Sequence, residues 1–483
     1  MKTTDAYQKI TGALKRRTKG ATVADICAVT ALPLSTVREL LPKAADEYSG
    51  RLQVTQSGEI LYLFPDGFKS RYRGIGVWLK KAAQKSAIFI KMSLSFLFKV
   101  WIMVMLIGYF VLFIAIALAS VFISIAAKSS NSNRKGGGFF GFGFFDLLIR
   151  LWFYSELTRP RYGNTNVTRK KKQYSPLHKA VFSFVFGEDD PNRDWQDRQN
   201  GAVIAYIQAN RGVISLGEYM AFTGESVIEA EQTLLAFCSR YSGSPEVTEE
   251  GTIVYRFDEL LLRADRANTG ELIPPVKRLK TFSGNSKSKN GWFIAINTVN
   301  LLFGSYFLYQ SFSAGQLLTE IQYQAVSSLY SYTHYFLQMF TTDPAGLIRT
   351  VLGLTPFIFS FLFWLIPAFR YFLEKKENEE IKLANFKRFS FGKIWKSPSK
   401  IDAEKFLNVL NAECKPENIS EARERVIKDI GAISVPDIEQ NEEGKMIYSF
   451  NELENEKRAL EKYRAGIDPE QSLLGKTVFD SGE

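Results

Sequence analysis

The chain has 483 residues, a formal net charge of +11 at pH 7, two histidines and three cysteines. Its length permits several domains, and the three cysteines, Cys27, Cys238 and Cys414, form no C-x-x-C pair that would indicate a zinc or iron–sulphur site. With so few histidines and cysteines and no catalytic motif, the sequence predicts a protein that is not an enzyme and that holds no cofactor and no metal.

Two stretches of the chain are near copies of each other. YSGRLQVTQSGEILYLF begins at Tyr48 and YSGSPEVTEEGTIVYRF begins at Tyr241, and the two align without a gap. A weaker third copy, GKMIYSF, begins at Gly444, so that Gly58, Gly251 and Gly444 follow one another at intervals of 193 residues. Self-similarity at a fixed interval indicates a duplicated structural unit.

The first unit predicts three helices and a hairpin. Apolar residues recur at helical spacing from Tyr7 to Leu14, around Ile26 and near Leu41, and they alternate with polar residues on both sides of a turn at Gly58. Three helices followed by a two-stranded wing resemble the winged helix-turn-helix module. We expect such modules at residues 1–75, at 188–268 and, in degenerate form running from Phe406, at 401–465, with a tail at 466–483.

Between the modules lie apolar runs of membrane scale. A helix needs about 20 apolar residues to cross a bilayer, and residues 100–127, 292–313 and 347–372 are therefore predicted transmembrane helices. The aromatic segment 139–155 is shorter and charged, which predicts a short span or a re-entrant segment. The predicted fold class is an α-helical membrane protein with α+β winged-helix-like soluble modules, in which three repeated modules alternate with pairs of membrane segments.

The segments that join modules and spans are basic. Residues 76–99 are typical of an amphipathic interfacial helix or of an extension of the first span. The predicted basic linkers are residues 156–187, 269–291 and 373–400. Between the last two predicted spans, residues 314–346 are a predicted external loop or helix. Lysine and arginine mark the cytoplasmic side, so we expect the modules to face the cytosol from the cytoplasmic (inner) membrane. The side chains expected to contact anionic membrane lipids are Lys80, Lys81, Lys85, Arg169, Lys170, Lys171 and Lys172.

The charges of the individual modules argue against nucleic acid as a general partner. Residues 188–269 carry 7 Lys and Arg against 15 Asp and Glu, and residues 401–483 carry 11 against 19. DNA affinity depends on cations that neutralise phosphates. Only the first module, with Arg38, Lys43 and Arg51 near its third helix and wing, is a candidate for contacts with DNA or with a protein partner.

Two polar residues, Asn297 and Asn300, lie inside a predicted span. Uncharged amides in spans commonly join helices through hydrogen bonds. Polar groups in a span also occur at transport sites, and duplicated two-span units are a form of internal repeat that transporters use. Both interpretations remain open at this point.

One segment is distinctive enough to suggest relatives. Residues 175–192 read SPLHKAVFSFVFGEDDPN. This resembles a segment of a little-characterised family of multi-pass membrane proteins in bacteria, cyanobacteria and plastids, whose cytosol- or stroma-facing parts carry winged-helix-like repeats. Some plastid relatives carry an iron–sulphur biosynthesis label, for which this sequence has no supporting cysteine arrangement, and the resemblance implies no catalytic residues.

These observations together predict a non-enzymatic multi-pass membrane scaffold or assembly factor whose cytosolic modules bind an unidentified protein partner. One alternative is a membrane-tethered DNA-binding transcriptional regulator that acts through the first module. A second alternative is a small-solute or ion transporter.

Overall fold

The computed structural model describes residues 3–17, 20–65, 68, 71, 75–129, 176–264, 274–316, 328–399, 401–402, 418–431, 435–440, 442, 444, 446–468 and 474–482. Over these residues the chain is mostly helical, with three small antiparallel sheets. Three of its helices are long and apolar enough to cross a membrane. The contacts form two compact units, the module unit (Met1–Gln84, Asp189–Lys280 and Lys375–Glu483) and the helical unit (Lys85–Glu188 and Thr281–Glu374).

The elements follow one another as three helix-and-hairpin copies separated by long helices. In chain order they are α1 (Thr3–Leu14), α2 (Val23–Thr30), α3 (Leu34–Glu47), β1 (Arg51–Thr55), β2 (Ile60–Leu63), α4 (Ile75–Ser129), α5 (Leu177–Phe186), α6 (Trp195–Ala209), β3 (Val213–Ser215), α7 (Leu216–Thr223), α8 (Val227–Tyr241), β4 (Ser244–Val247), β5 (Ile253–Arg256), α9 (Lys287–Gln316), α10 (Ser328–Gln338), α11 (Pro344–Leu347), a π-helical segment (Ile348–Leu354), α12 (Thr355–Lys396), β6 (Ile401–Asp402), α13 (Ile419–Gly431), β7 (Asp437–Gln440), β8 (Met446–Ser449), α14 (Asn451–Ala465) and β9 (Thr477–Asp480).

The second helix of the first two copies begins in the same way. The Thr22 hydroxyl accepts the backbone N–H of Asp25 ahead of α2, and the Ser215 hydroxyl accepts that of Glu218 ahead of α7. The two caps lie 193 residues apart, and α2 and α7 have matching lengths. Hydroxyl caps satisfy the free N–H groups of a helix start, so the local sequence fixes the start of both helices.

The hairpin register is the same in all three copies. Equivalent cross-strand pairs are Leu52–Tyr62, Pro245–Tyr255 and Ile438–Tyr448. On its other side, the same tyrosine pairs with Ala21, Ile214 or Ile401. A slip of one residue would turn every strand side chain to the opposite face. The duplication that the sequence predicts is therefore a duplication of three-dimensional structure.

The third copy begins earlier than its sequence indicates. An apolar residue lies seven positions before the tyrosine's first-strand partner in every copy, at Leu14, Ile207 and Ile394. Because Ile394 lies near the end of α12, that helix supplies the first helix of the third copy, and the predicted linker 373–400 is helical as far as Lys396. The predicted start at Phe406 lies outside the described residues.

Adjacent copies pack by the same close approach. A Cβ added at Gly201 of α6 would lie 3.2 Å from the Ala28 carbonyl oxygen of α2, and one at Gly392 of α12 would lie 3.3 Å from the Ala221 carbonyl oxygen of α7. In both cases the second helix of one copy contacts the first helix of the next. One hydrophobic core, which includes Ile10, Leu234 and Phe386, runs through the three copies.

The tail adds a strand that the sequence analysis does not predict. Strand β9 pairs antiparallel with β1, and the strand order is β2-β1-β9. The Gln56 N–H donates to the Lys476 carbonyl at 3.0 Å, and the Ser481 N–H donates to the Leu52 carbonyl at 2.9 Å. The C-terminal residues therefore cover the free edge of the first hairpin, which would otherwise expose unpaired backbone groups.

The helical unit is built around long apolar helices. Residues 76–99 belong to α4, which continues without a break as far as Ser129, so this segment is helical and continuous with the first candidate span. Two clusters hold the unit together, one around Leu106 and Phe184 and one around Phe113 and Phe307. Many outward side chains are also apolar, among them Phe89, Leu97, Trp101, Val104, Leu302, Phe361 and Phe369. The predicted segment 139–155 lies outside the described residues.

Candidate functional site

The three basic residues singled out in the first module each lie beside an acidic group. Arg38 donates to a Glu259 carboxylate oxygen at 2.9 Å, across the boundary between the first and second copies. Lys43 pairs with Glu39 one helical turn away at 2.7 Å. Because these pairs are largely exposed to solvent, they add little stability, but they reduce the positive charge that this face presents.

Arg51 lies beside the C-terminal strand. The Gly482 backbone packs against its guanidinium group, and Asp480 is a neighbour. The pKa of Asp480 is lowered first by a hydrogen bond from Gln53, then by the Gly482 N–H, and also by the charge of Arg51. The wing of the first copy therefore presents a carboxylate next to its arginine.

All seven predicted lipid contacts fall on residues whose side chains are not described. Lys80, Lys81 and Lys85 lie within α4, but their side chains lie outside the description. Residues Arg169, Lys170, Lys171 and Lys172 lie outside the described residues altogether. Their expected contacts with anionic lipids stay predictions.

Asn297 and Asn300, both on α9, join three helices. Both side chains are fully buried. The Asn297 amide donates to the Ser360 carbonyl of α12 at 2.9 Å, and the Asn300 amide donates to the Leu106 carbonyl of α4 at 2.7 Å. Each asparagine thus bonds to the backbone of a different neighbouring helix, which is how uncharged amides commonly hold apolar helices together.

Buried acids connect successive copies. The Asp25 carboxylate is fully buried and accepts hydrogen bonds from Thr22 and from the Ala264 N–H at 2.9 Å, and it forms an ion pair with Arg17 at 3.0 Å. Residues from the first copy and from the end of the second copy therefore converge on one carboxylate.

The equivalent acid of the second copy, 193 residues later, is Glu218. It accepts a hydrogen bond from the Tyr206 hydroxyl at 2.7 Å and two from Arg464 of α14, at 3.0 and 2.5 Å. A two-pronged arginine–carboxylate contact fixes distance as well as orientation. The same position of the repeat thus joins copy one to copy two and copy two to copy three.

Arg388 of α12 is a second connection between the copies. Its buried guanidinium donates to the Thr223 carbonyl at 2.8 and 2.6 Å, which caps the C-terminus of α7. It also donates to Gln199 at 3.3 Å and to the Pro275 carbonyl, and it lies over the Trp195 ring. A cation at a helix C-terminus interacts favourably with the helix dipole.

An extended segment lies along this part of α12. We call residues 274–280 the strap. Asn385 accepts the Lys277 N–H at 3.1 Å and donates to the Lys277 carbonyl at 2.9 Å. Asn378 accepts the Lys280 N–H at 2.8 Å and donates to the Lys280 carbonyl at 2.9 Å. Two side chains of one helix thus pair with the strap backbone as a neighbouring β-strand would.

The middle of the strap is held in the same way by another part of the module unit. Asn192 accepts the Arg278 N–H at 2.9 Å and donates to the Arg278 carbonyl at 2.7 Å. Asn192 belongs to the distinctive GEDDPN segment, so the sequence contained a signal for it. Asn378 and Asn385 lie in the predicted linker, where no pattern pointed to a role.

The lysines of the strap contact groups of matching character. Lys280 forms ion pairs with Glu377 at 2.7 Å and with Asp190 at 3.4 Å. Lys277 lies with its Nζ 5.4 Å from the centre of the Trp195 ring. The pKa of Lys277 is lowered, first by burial and then by the charge of Arg388. Backbone, cation and aromatic contacts therefore converge on the strap.

The first part of the distinctive segment, which is apolar, packs and forms hydrogen bonds within the helical unit. The Gly284 N–H donates to Ser183 at 3.1 Å and to Glu188 at 3.0 Å, and Ser183 donates to Glu188 at 2.5 Å. Arg370 donates to the Phe184 carbonyl at 2.8 Å. These contacts join the end of α5 to the chain ahead of α9 and to α12, so the FSFVFGE letters have a structural explanation.

The described residues hold neither a cluster of metal-ligating side chains nor a reactive thiol. Among them, no group of three or more His, Cys, Asp or Glu side chains could hold a metal ion. Burial raises the pKa of Cys27 to about 12 and raises that of Cys238 as well, so neither thiol is a ready nucleophile at neutral pH.

Comparison with known proteins gives one informative similarity. No family model matches the chain, and no solved structure does. An uncharacterised chloroplastic protein of Arabidopsis thaliana is 24% identical over 418 residues, which cover 82% of this chain and 73% of the plant protein. The chain is thus a distant relative of a plant protein of the chloroplast, and the similarity extends over most of both sequences.

Proposed function

We propose that this chain is a non-enzymatic multi-pass membrane scaffold or assembly factor whose three modules, winged-helix-like in their order of elements, bind protein partners. The observation that carries the proposal is that the three copies form one body through buried contacts such as Glu218–Arg464, while two of them are strongly acidic. A compact body that carries two acidic copies and is attached to apolar helices is suited to holding partners at a membrane.

The exposed apolar side chains of the helical unit support the membrane assignment. Soluble proteins rarely expose large contiguous apolar surfaces, whereas Trp101, Leu302 and Phe361 are among many large apolar residues that lie on the outside of the candidate spans. We place the protein in the cytoplasmic (inner) membrane with its modules in the cytosol. The chloroplastic relative is compatible with a plastid counterpart on the stromal side.

The shared core of the copies constrains the path of the chain. Residues of the first and second copies pack in one cluster, so both copies lie on the same side of any membrane that α4 enters. A single passage through α4 would separate them, and this supports a return within residues 130–175, where segment 139–155 is the candidate. In the proposed path, α9 and α12 are the two crossings between the second and third copies.

Cysteine labelling tests this path. In a chain with Cys238→Ser and Cys414→Ser, a membrane-impermeant maleimide applied outside intact cells should label Asn133→Cys and Tyr335→Cys, and it should label the module residue Val247→Cys only after lysis. Tyr335 and Val247 are both largely exposed. Labelling of Val247→Cys in intact cells would contradict the proposed orientation.

The contacts of Arg38, Lys43 and Arg51 disfavour the DNA-binding alternative. The wing edge is covered by β9, and Arg38 is engaged by Glu259 of the second copy. We expect the full chain in detergent to bind duplex DNA weakly, with no loss of affinity on Arg38→Ala/Lys43→Ala. Tight, salt-sensitive binding that these substitutions abolish would overturn the preference.

Co-purification tests the scaffold proposal directly. Affinity purification in mild detergent should recover one or more proteins in a fixed ratio with the full chain. The recovered partner should be lost when Arg464→Ala loosens the third copy from the second, and it should be retained with Lys462→Ala, a substitution at an exposed residue of the same helix. Purification of the chain alone under several mild conditions would contradict the proposal.

A further inference from the structure

The strap is held in the manner of a bound peptide. Strap residues Lys277, Arg278 and Lys280 each have both backbone groups paired with a single asparagine side chain. Backbone pairing of this kind is how extended peptides are recognised when they add to a sheet edge. Here two of the three asparagines are presented by a helix.

The spacing of the two helical asparagines matches an extended chain. Asn378 and Asn385 are seven residues apart, which places them on one face about 10.5 Å apart along α12. The residues that they bind, Lys280 and Lys277, are three apart, and three residues of extended chain span about 10 Å. The strap runs antiparallel to α12, and Arg388, one turn further along the helix, meets Pro275. The helix face therefore carries a repeat that fits extended backbone.

Side-chain contacts add chemical selectivity to this backbone recognition. The strap reads Pro-Val-Lys-Arg-Leu-Lys from Pro275. Lys280 meets two carboxylates, and Lys277 lies over an aromatic ring that it shares with Arg388. A proline favours the extended conformation of the residue that precedes it. An occupant with Pro-x-Lys-x-x-Lys spacing satisfies each of these contacts.

We infer that this face of α12, with Asn192 and Trp195, is a peptide-binding site that the strap occupies in cis, and that its partner in trans is an extended basic segment of another protein. The strap leads within a few residues into α9, which begins at Lys287, so displacement of the strap would connect partner binding to the helical unit. The inference deepens the proposed scaffold function, on which its biological role rests, by naming the chemistry of the partner.

A fluorescence anisotropy titration with the full chain in detergent tests the site. The probe is a labelled synthetic peptide of residues 273–282. The parent chain should bind it weakly, because a tethered strap competes at an effective concentration of about 1 mM. Lys277→Pro/Lys280→Pro removes two N–H donors and both lysines from the strap, so the probe should bind this variant at least about tenfold more tightly than the parent. Leu279→Pro, at a strap residue that the asparagines do not pair with, is the matched control.

Two further changes locate the binding. Asn378→Ala/Asn385→Ala in the Lys277→Pro/Lys280→Pro background should weaken the probe at least about tenfold, since two pairs of hydrogen bonds are lost. A probe N-methylated at its two lysines should lose affinity to the same extent, whereas one N-methylated at leucine should not. The inference would be overturned if the probe affinity were unchanged by the asparagine substitutions and by N-methylation of the lysines. It would also be overturned if the probe did not bind a double-proline variant that keeps the parent's melting temperature.

Hydrogen exchange on the parent chain covers the case in which the proline variant does not fold. A large excess of unlabelled peptide should accelerate exchange of the Lys277 and Lys280 amides and leave the amides of α8 unchanged. Unchanged strap amides under saturating peptide would contradict the site. The outcome is separable from the scaffold proposal, because co-purification can fail while the titration succeeds, and the reverse.

Discussion

Substitution of Arg464 by alanine should weaken the attachment of the third copy to the second. Among the described residues, Arg464 is the only cationic side chain that forms a hydrogen bond or an ion pair with Glu218. The Arg464 side chain is 15% exposed and the Glu218 side chain is 4% exposed. Arg464 also donates to the Val213 carbonyl at 2.6 Å. Its removal leaves a buried carboxylate that accepts a hydrogen bond from the Tyr206 hydroxyl but has lost its counter-ion.

The magnitude follows from what remains behind. Breaking a buried ion pair by removing one partner costs about 3–5 kcal/mol, whereas replacing both partners by apolar groups of similar volume is often neutral. Arg464→Ala should therefore lower the free energy of unfolding of the module unit by about 3 kcal/mol or more. Glu218→Leu/Arg464→Met should recover most of that loss. Comparison of Glu218→Leu/Arg464→Met with Arg464→Met alone separates the cost of the unpaired carboxylate from the packing of α14.

Urea unfolding in detergent, followed by tryptophan fluorescence, measures the effect, because Trp195 and Trp395 belong to the module unit. Lys462→Ala is the matched control: it lies on the same helix and contacts Glu249 and Glu250 of the second copy, but it is exposed. We expect its midpoint to equal that of the parent. Equal losses for Arg464→Ala and Lys462→Ala, or a double variant as unstable as the single one, would refute the reasoning.

Three further predictions concern other parts of the chain. Gly224→Ala should destabilise the module unit more than Gly251→Ala in the same urea assay. Both glycines have positive φ angles, but a Cβ at Gly224 would meet the Arg388 backbone at 2.8 Å, whereas none of the described atoms lies within 4 Å of a Cβ at Gly251. Equal losses of stability would contradict the close approach at Gly224. Burial raises the pKa of Glu456 above its ordinary value of 4.5, so the folded state of the parent binds more protons than the unfolded state and loses stability as the pH rises through the raised pKa. The Glu456→Gln side chain does not titrate, so the melting temperature of this variant should rise relative to the parent's between pH 4.5 and the raised pKa. Below pH 4.5 the difference between the two melting temperatures should stay constant. A difference that is independent of pH throughout would argue against a buried ionised carboxylate. Asn300→Ala should cost the helical unit about 0.6–1.7 kcal/mol, as an interhelical hydrogen bond does, and should leave solute flux in proteoliposomes at the parent's level; loss of a measurable flux would favour transport.

The local elements followed from the sequence because short-range physics fixes them. The caps at Thr22 and Ser215 and the alternation around Gly58 and Gly251 indicate where helices and hairpins begin and end. The 193-residue interval then predicts the second copy from the first, and the two hairpins have the same strand register. Apolar runs predicted three long helices for the same reason, since length and apolar composition distinguish helices that can cross a membrane from the other segments of the chain.

The tertiary structure decided which distant segments meet. Nothing in the local pattern links β9 to β1, Arg464 to Glu218 or the strap to Asn378 and Asn385, because each contact joins residues that are about 100 to 430 positions apart. Polar side chains such as asparagine carry no periodic signal on an otherwise charged helix, so α12 beyond residue 373 resembled a linker. Sequence periodicity reports which face of an element is buried, whereas the identity of what buries it is settled only when the whole chain has packed.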